Sequence, residues 1–230
     1  MNTIFKNQYY LILKHGIKME LADKERLISP ILFATTMLIL FAFGIGETSE
    51  DLIIKIFLAQ TFLTLLFSLQ ITFARIFDPD EKDKVFQLLQ CYPINHAAWF
   101  LGKYTLVILV GSLVLVPTML LAGLLNHNPK APLLTPEIFL IAFLALAGLA
   151  SIGVLLSAMT LKASGREVLF PLIYFPLSTP VLLAAIQSSQ VLLSGNNSDI
   201  LWQWVGLLVC FDVIYVTLGI LLFGELAGSE

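Results

Sequence analysis

Apolar and polar positions along this chain fall into long blocks rather than a fine alternation. Six stretches run for about 20 mainly apolar positions each, the length a helix needs to cross a hydrocarbon core of roughly 30 Å: Leu27 to Gly46, Leu52 to Phe73, Tyr104 to Leu125, Glu137 to Thr160, Val168 to Ile186 and Ile200 to Phe223. The pattern predicts an all-α integral membrane fold of six spans. An even number of spans returns both termini to one side. The first run starts only at Leu27 and has no A-x-A cleavage pattern, so it is read as a membrane helix and not as a signal peptide.

Several spans open on helix-start chemistry. Ser29-Pro30 and Thr135-Pro136-Glu137 place a capping side chain before a proline at the first helical position. Ser164-Gly165-Arg166-Glu167 reads as a capping box ahead of the fifth span.

Residues 1–26 are too polar to span. Ile4, Phe5, Tyr9, Leu11, Ile12, Leu13, Ile17 and Leu21 interleave there with Lys6, Lys14, Lys18 and Lys24 at roughly helical spacing. This predicts a surface helix with its apolar side in lipid and its lysines toward the headgroups, ahead of a spanning domain over 27–230. A basic tail that only fixes topology is the plainer alternative.

Between the second and third spans lies a charged island. Asp78, Pro79, Asp80 and Glu81 have the order of an N-cap, a first-turn proline and acids at the positive end of the helix dipole, so a helix is expected to begin there. Val85, Phe86, Leu88 and Leu89 then form an apolar side opposite Asp80, Asp83, Lys84 and Gln87, and Pro93 ends the run near Tyr92. Asn95 is placed to cap a further run, His96 to Lys103, that feeds the third span. An amphipathic helix at about 78–92 needs a cover for its apolar side, either the protein's own surface or a separate partner.

Composition agrees with a membrane protein: of 230 residues 58% are hydrophobic, and mean hydropathy is +0.89. The near-neutral net charge of −3 argues nothing about nucleic acid, and no nucleic-acid partner is expected. Cys91 and Cys210 sit in different segments and form neither a CxxC site nor a disulfide framework. Of the 13 Lys and Arg residues, all but Lys55 and Lys130 fall in the N-terminal segment and the loops after the second and fourth spans. By the positive-inside bias both termini and the charged island face the cytoplasm.

Polar residues inside the spans are the candidate chemistry. Gln60, Thr64, Ser68 and Thr72 recur every four positions and share one helix face, as helix-to-helix glue or as the lining of an aqueous path. The fifth span repeats proline at Pro171, Pro176 and Pro180, which predicts a bent or broken helix, path-lining or merely kinked. Asp212 lies near the middle of the sixth span, where an unpaired carboxylate costs at least about 2.5 kcal/mol. It is therefore read as a functional polar site or as one half of a structural hydrogen bond. The chain contains no G-x-x-x-x-G-K-[ST] phosphate loop and no HExxH or GxSxG motif, and its spans hold no paired acids; an enzyme is not indicated.

The amphipathic N-terminal segment, the six spans, the charged helix after the second span, Leu88-Leu89 with Pro93, and Gly102-Lys103 at the start of the third span resemble the permease subunit of an ABC-type exporter. Arg75-Ile76-Phe77, Gln87-Leu88-Leu89, and Lys162 and Gly165 leading into FPLIYFPLSTP are similar to the haem exporter protein B (CcmB) family of cytochrome c maturation. At one point the sequence departs from that pattern: Asp83-Lys84-Val85 stands where the family has a glycine after the acids.

The resemblance implies a coupling helix, with Asp78, Asp80, Glu81, Val85, Phe86, Gln87, Leu88 and Leu89 seated on a separate ABC ATPase. It also implies a second permease copy, other haem-handling membrane proteins, a periplasmic haem chaperone and a bacterial inner-membrane location. No cofactor or metal is bound by motif; haem is a possible substrate, and ATP acts only through the partner. Of His15, His96 and His127, only His127 falls on the outer side where departing haem would meet it, and it is read as solvated rather than as a ligand. Export of another substrate, such as a lipid, glycan or drug, and a passive assembly scaffold are the competing functions.

Overall fold

The computed structural model describes residues 2–44, 50–78, 95–125, 134–161, 163, 165–195 and 198–228. Among them are seven helices and no strands: α1 (Asn2–Ala22), α2 (Lys24–Gly44), α3 (Glu50–Arg75), α4 (His96–Leu125), α5 (Pro136–Met159), α6 (Arg166–Ser194) and α7 (Ser198–Gly228). α2 to α7 contain the six stretches long and apolar enough to cross a membrane. The expected amphipathic helix at 78–92 lies outside the described residues apart from Asp78, as do His127 and Ser164.

α5 is the centre of the bundle. Of its apolar stretch 78% is buried, against 17% for α2 and 22% for α7, and it packs on α3, α4, α6 and α7. Small residues allow this: Ala142, Ala145, Ala147, Gly148, Ala150, Ser151 and Gly153 are all buried, so neighbouring helices approach its backbone closely. The Phe73 ring of α3 lies where a side chain on Gly153 would be. Phe73 in turn packs edge-on against Tyr174 of α6, with ring centroids 5.4 Å apart. α2 and α7 are outermost and show lipid-suited residues such as Leu32, Leu40, Phe43, Trp202, Val213 and Leu221.

Two helix starts follow the sequence. Thr135 accepts a hydrogen bond from the Ile138 amide with Pro136 at the first helical position. Asn95 Oδ1 accepts one from the Ala97 amide at 3.0 Å and begins α4. Two starts differ. α2 begins at Lys24 behind Asp23, whose carboxylate accepts from the Glu25 amide, so Pro30 lies inside the helix and Ser29 is not its cap. α6 takes Gly165 as its N-cap at φ 87°, a left-handed conformation suited to glycine, and no side chain caps it. The expected capping box is thereby replaced.

α6 is also unbroken from Arg166 to Ser194, although Pro171, Pro176 and Pro180 lie within it. Hydroxyls serve carbonyls near the prolines: Ser178 and Thr179 both donate to the Phe175 carbonyl at 2.9 Å, and Tyr215 of α7 donates to the Leu177 carbonyl at 3.1 Å.

The apolar stripe of α1 divides between two surroundings. Ile12, Leu13 and Ile17 pack on the bundle, and the Tyr9 hydroxyl donates to Thr105 Oγ1 at 3.0 Å. Gly16 meets Leu106 and Gly102 meets Ile12, which seats α1 tightly on α4. Tyr10, Leu11 and Leu21 remain exposed beside Lys14 and Lys18, the composition of a surface that meets lipid headgroups.

Glu20 of α1 is buried and paired with Arg26 at 3.4 Å. Burial pushes its carboxyl above the ordinary 4.5, against the opposing pull of Arg26 and Lys103. Its contribution to stability is thus fully present below about pH 4.5 and declines as pH rises through the elevated folded value. In detergent melts from pH 4.5 upward, Glu20→Gln should remove that decline and flatten the profile; parallel wild-type and variant profiles would count against it.

Candidate functional site

The predicted polar face of α3 exists and points inward. Gln60, Thr64, Ser68 and Thr72 are all buried, joined by Thr61 one position beyond the four-residue spacing. Ser68 and Thr61 return their hydroxyls to carbonyls of their own helix, those of Thr64 and Phe57. Gln60 Oε1, Thr64 Oγ1 and Thr72 Oγ1 have no hydrogen-bond partner among the described residues. Among the described residues, then, these three oxygens make no helix-to-helix hydrogen bond. A buried unsatisfied polar atom costs about 1–3 kcal/mol, so such a column is expensive as pure packing.

Asp212 is buried on α7 and abuts Gly148 of α5, where a Cβ would strike its Oδ1. That oxygen too lacks a hydrogen-bond partner among the described residues. The glycine is what makes room for the carboxyl, a pairing that sequence spacing does not reveal. Tyr174 of α6 is fully buried, and its hydroxyl has no hydrogen-bond partner among the described residues; it did not stand out in the sequence because it sits in an aromatic run. Of the three prolines, Pro171 lines a cleft of about 800 Å³ between the ends of α3 and α6, bordered also by Gln70, Arg75, Asp78, Arg166 and Glu167. Pro176 is exposed and Pro180 half-buried. Among the described residues no three His, Cys, Asp or Glu side chains gather as a metal site would require.

The residues flanking 79–94 on both sides contact the bundle. On the α3 side, Phe77 is fully buried in an aromatic cluster, 6.4 Å from Trp99 and 6.3 Å from Phe223 between ring centroids. Asp78 faces Arg166 at 3.7 Å. On the α4 side, the Asn95 amide donates to Gln8 Oε1 of α1 at 3.1 Å. The start of α4 and the ends of α3 and α7 thus lie together at one end of the bundle, next to α1. Asp80, Glu81, Val85, Phe86, Gln87, Leu88 and Leu89 fall between these anchors, outside the described residues.

The chain matches the protein-family model described as CcmB protein over residues 7–225. It belongs to that family, the haem exporter protein B family of the ABC-type cytochrome c maturation system. No match was found among curated proteins. Family and fold make the chain a multi-pass membrane permease component of haem export for cytochrome c maturation, acting within an ABC transporter that has other components of that system.

Proposed function

We propose that this member of the family is driven by a separate ABC ATPase that docks on the segment between α3 and α4. The observation that carries the reading is the fastening of that segment at both ends, by Phe77 and Asp78 on one side and Asn95 on the other. Anchors at Phe77, Asp78 and Asn95 would carry a push on that segment into α3 and α4. Closure of two ATPase subunits would act on two permease copies and shift the spans between inward-open and outward-open states. The charge bias of the loops supports cytoplasmic termini in the bacterial inner membrane. The polar column on α3, Asp212 and the proline-bearing α6 are the proposed path-lining elements. Haem is the proposed cargo or, alternatively, the ligand of a chaperone whose release the energy drives.

Affinity purification of the tagged protein in mild detergent should bring an ABC ATPase subunit with it. Reversing Asp80 and Glu81 to Lys should cut that recovery about tenfold, as like-charge juxtaposition at a docking surface does. Full recovery after reversal would remove these acids from the contact, and a wild-type preparation free of any ATPase would sink the reading. A passive scaffold would keep its function beside an ATPase-dead partner, whereas this permease should lose it.

A further inference from the structure

The last turn of a helix leaves its carbonyls without intrahelical donors. α3 ends at Arg75 with no glycine after it, and the residue four positions on from Arg75 is Pro79, which has no N–H to give. Three carbonyls of that turn, and that of Ile76 just beyond it, are served by side chains from four different helices. Ser157 of α5 donates to the Phe73 carbonyl at 3.1 Å, and Arg166 of α6 to the Ala74 carbonyl at 3.1 Å. Arg26 of α2 donates to the Arg75 carbonyl at 3.3 Å, and Lys103 of α4 to the Ile76 carbonyl at 3.2 Å.

Three of the four donors are cations placed at the negative end of the α3 dipole. Lys103 is only 5% exposed, and its ammonium lies 5.3 Å from the centre of the Phe77 ring. Arg26 is held in turn by Glu20 at 3.4 Å and Asp23 at 3.3 Å, so this donor is itself fixed. Termination of a helix needs far less. Tying one turn to every neighbour at the point where the chain leaves for the 79–94 segment makes that turn and its neighbours one mechanical unit.

We propose that Arg26, Lys103, Ser157 and Arg166 form a clamp on the last turn of α3 that positions the root of the 79–94 segment, so that displacement of the segment moves α2, α4, α5 and α6 together with α3. These are positioning residues, and their role rests on the ATPase-driven reading above. Lys103→Met keeps the stem and removes the charge, Arg166→Gln removes a second cation, and Lys103→Arg is the conservative control.

In the complex purified with its ATPase, both charge-removing variants should assemble and hydrolyse ATP as the wild type does. The holocytochrome c formed per ATP should fall about tenfold, an ordinary size for coupling between sites, and Lys103→Arg should restore it. An unchanged ratio in both variants, or no restoration by Lys103→Arg, overturns the clamp. A second readout needs no partner: a spin label at Ala74→Cys, with Cys91 and Cys210 replaced by Ser, should give a narrower spectrum when Lys103→Met is added. An unchanged spectrum overturns the clamp even where the variants assemble poorly. If the wild type recovers no ATPase, the driven reading fails, and the label alone decides whether the clamp exists.

Discussion

Gly153→Val should remove most of the folded protein. The Phe73 ring occupies the place of any side chain on Gly153, and Phe73 is fully buried against Phe170 and Tyr174 of α6 with ring centroids 6.0 and 5.4 Å away. The ring cannot swing aside without displacing α6, and α5 cannot retreat without parting from α4 and α7. Overpacking a close-fitted core costs about 1–3 kcal/mol, and at the central helix the upper end of that range is expected. Monodisperse protein recovered by size exclusion in detergent should drop at least about tenfold, the ratio that corresponds to roughly 1.4 kcal/mol. Phe73→Leu, mildly destabilising alone, should restore part of the yield in the double variant because it vacates the volume that Val needs. Wild-type yield for Gly153→Val would show that α3 and α5 do not pack as described.

What the sequence made legible here follows from the range of the interactions involved. Spans are declared by length and composition, local properties that every residue in a block repeats, and so all six are found. The starts of α4 and α5 were readable because Asn95 and Thr135 act on amides two and three residues away. Pro30 misled because the rule that places proline at a helix start ignores what precedes it, and Asp23 starts α2 seven residues earlier. Three prolines did not interrupt α6, which runs unbroken from Arg166 to Ser194, so the local rule that proline ends a helix gave the wrong outcome there. The last-turn carbonyls of α3 meet Arg166 and Ser157 across 92 and 84 positions, distances over which no periodicity speaks. The polar face of α3 was visible as a four-residue spacing, but whether its atoms found partners was a tertiary matter.

Asp212→Asn should leave the protein folded and its function largely lost. Asparagine matches aspartate in volume, so the fit against Gly148 is kept, and removing a charge from the interior of a span does not threaten insertion. The substitution takes away the ability to bind or release a proton and to carry a negative charge. If Asp212 serves the path, holocytochrome c in cells should fall by about tenfold or more at an unchanged membrane level of the protein, the size expected when one group in a working site is lost. Gly148→Ala approaches the same carboxyl from α5, since its new Cβ would strike Oδ1. It should lower output on its own and add little to Asp212→Asn, because residues that act through one contact are not additive. Normal output from Asp212→Asn would reduce the carboxyl to a packing element. Independent losses from the two substitutions would mean that Gly148 matters only for how closely α5 and α7 approach.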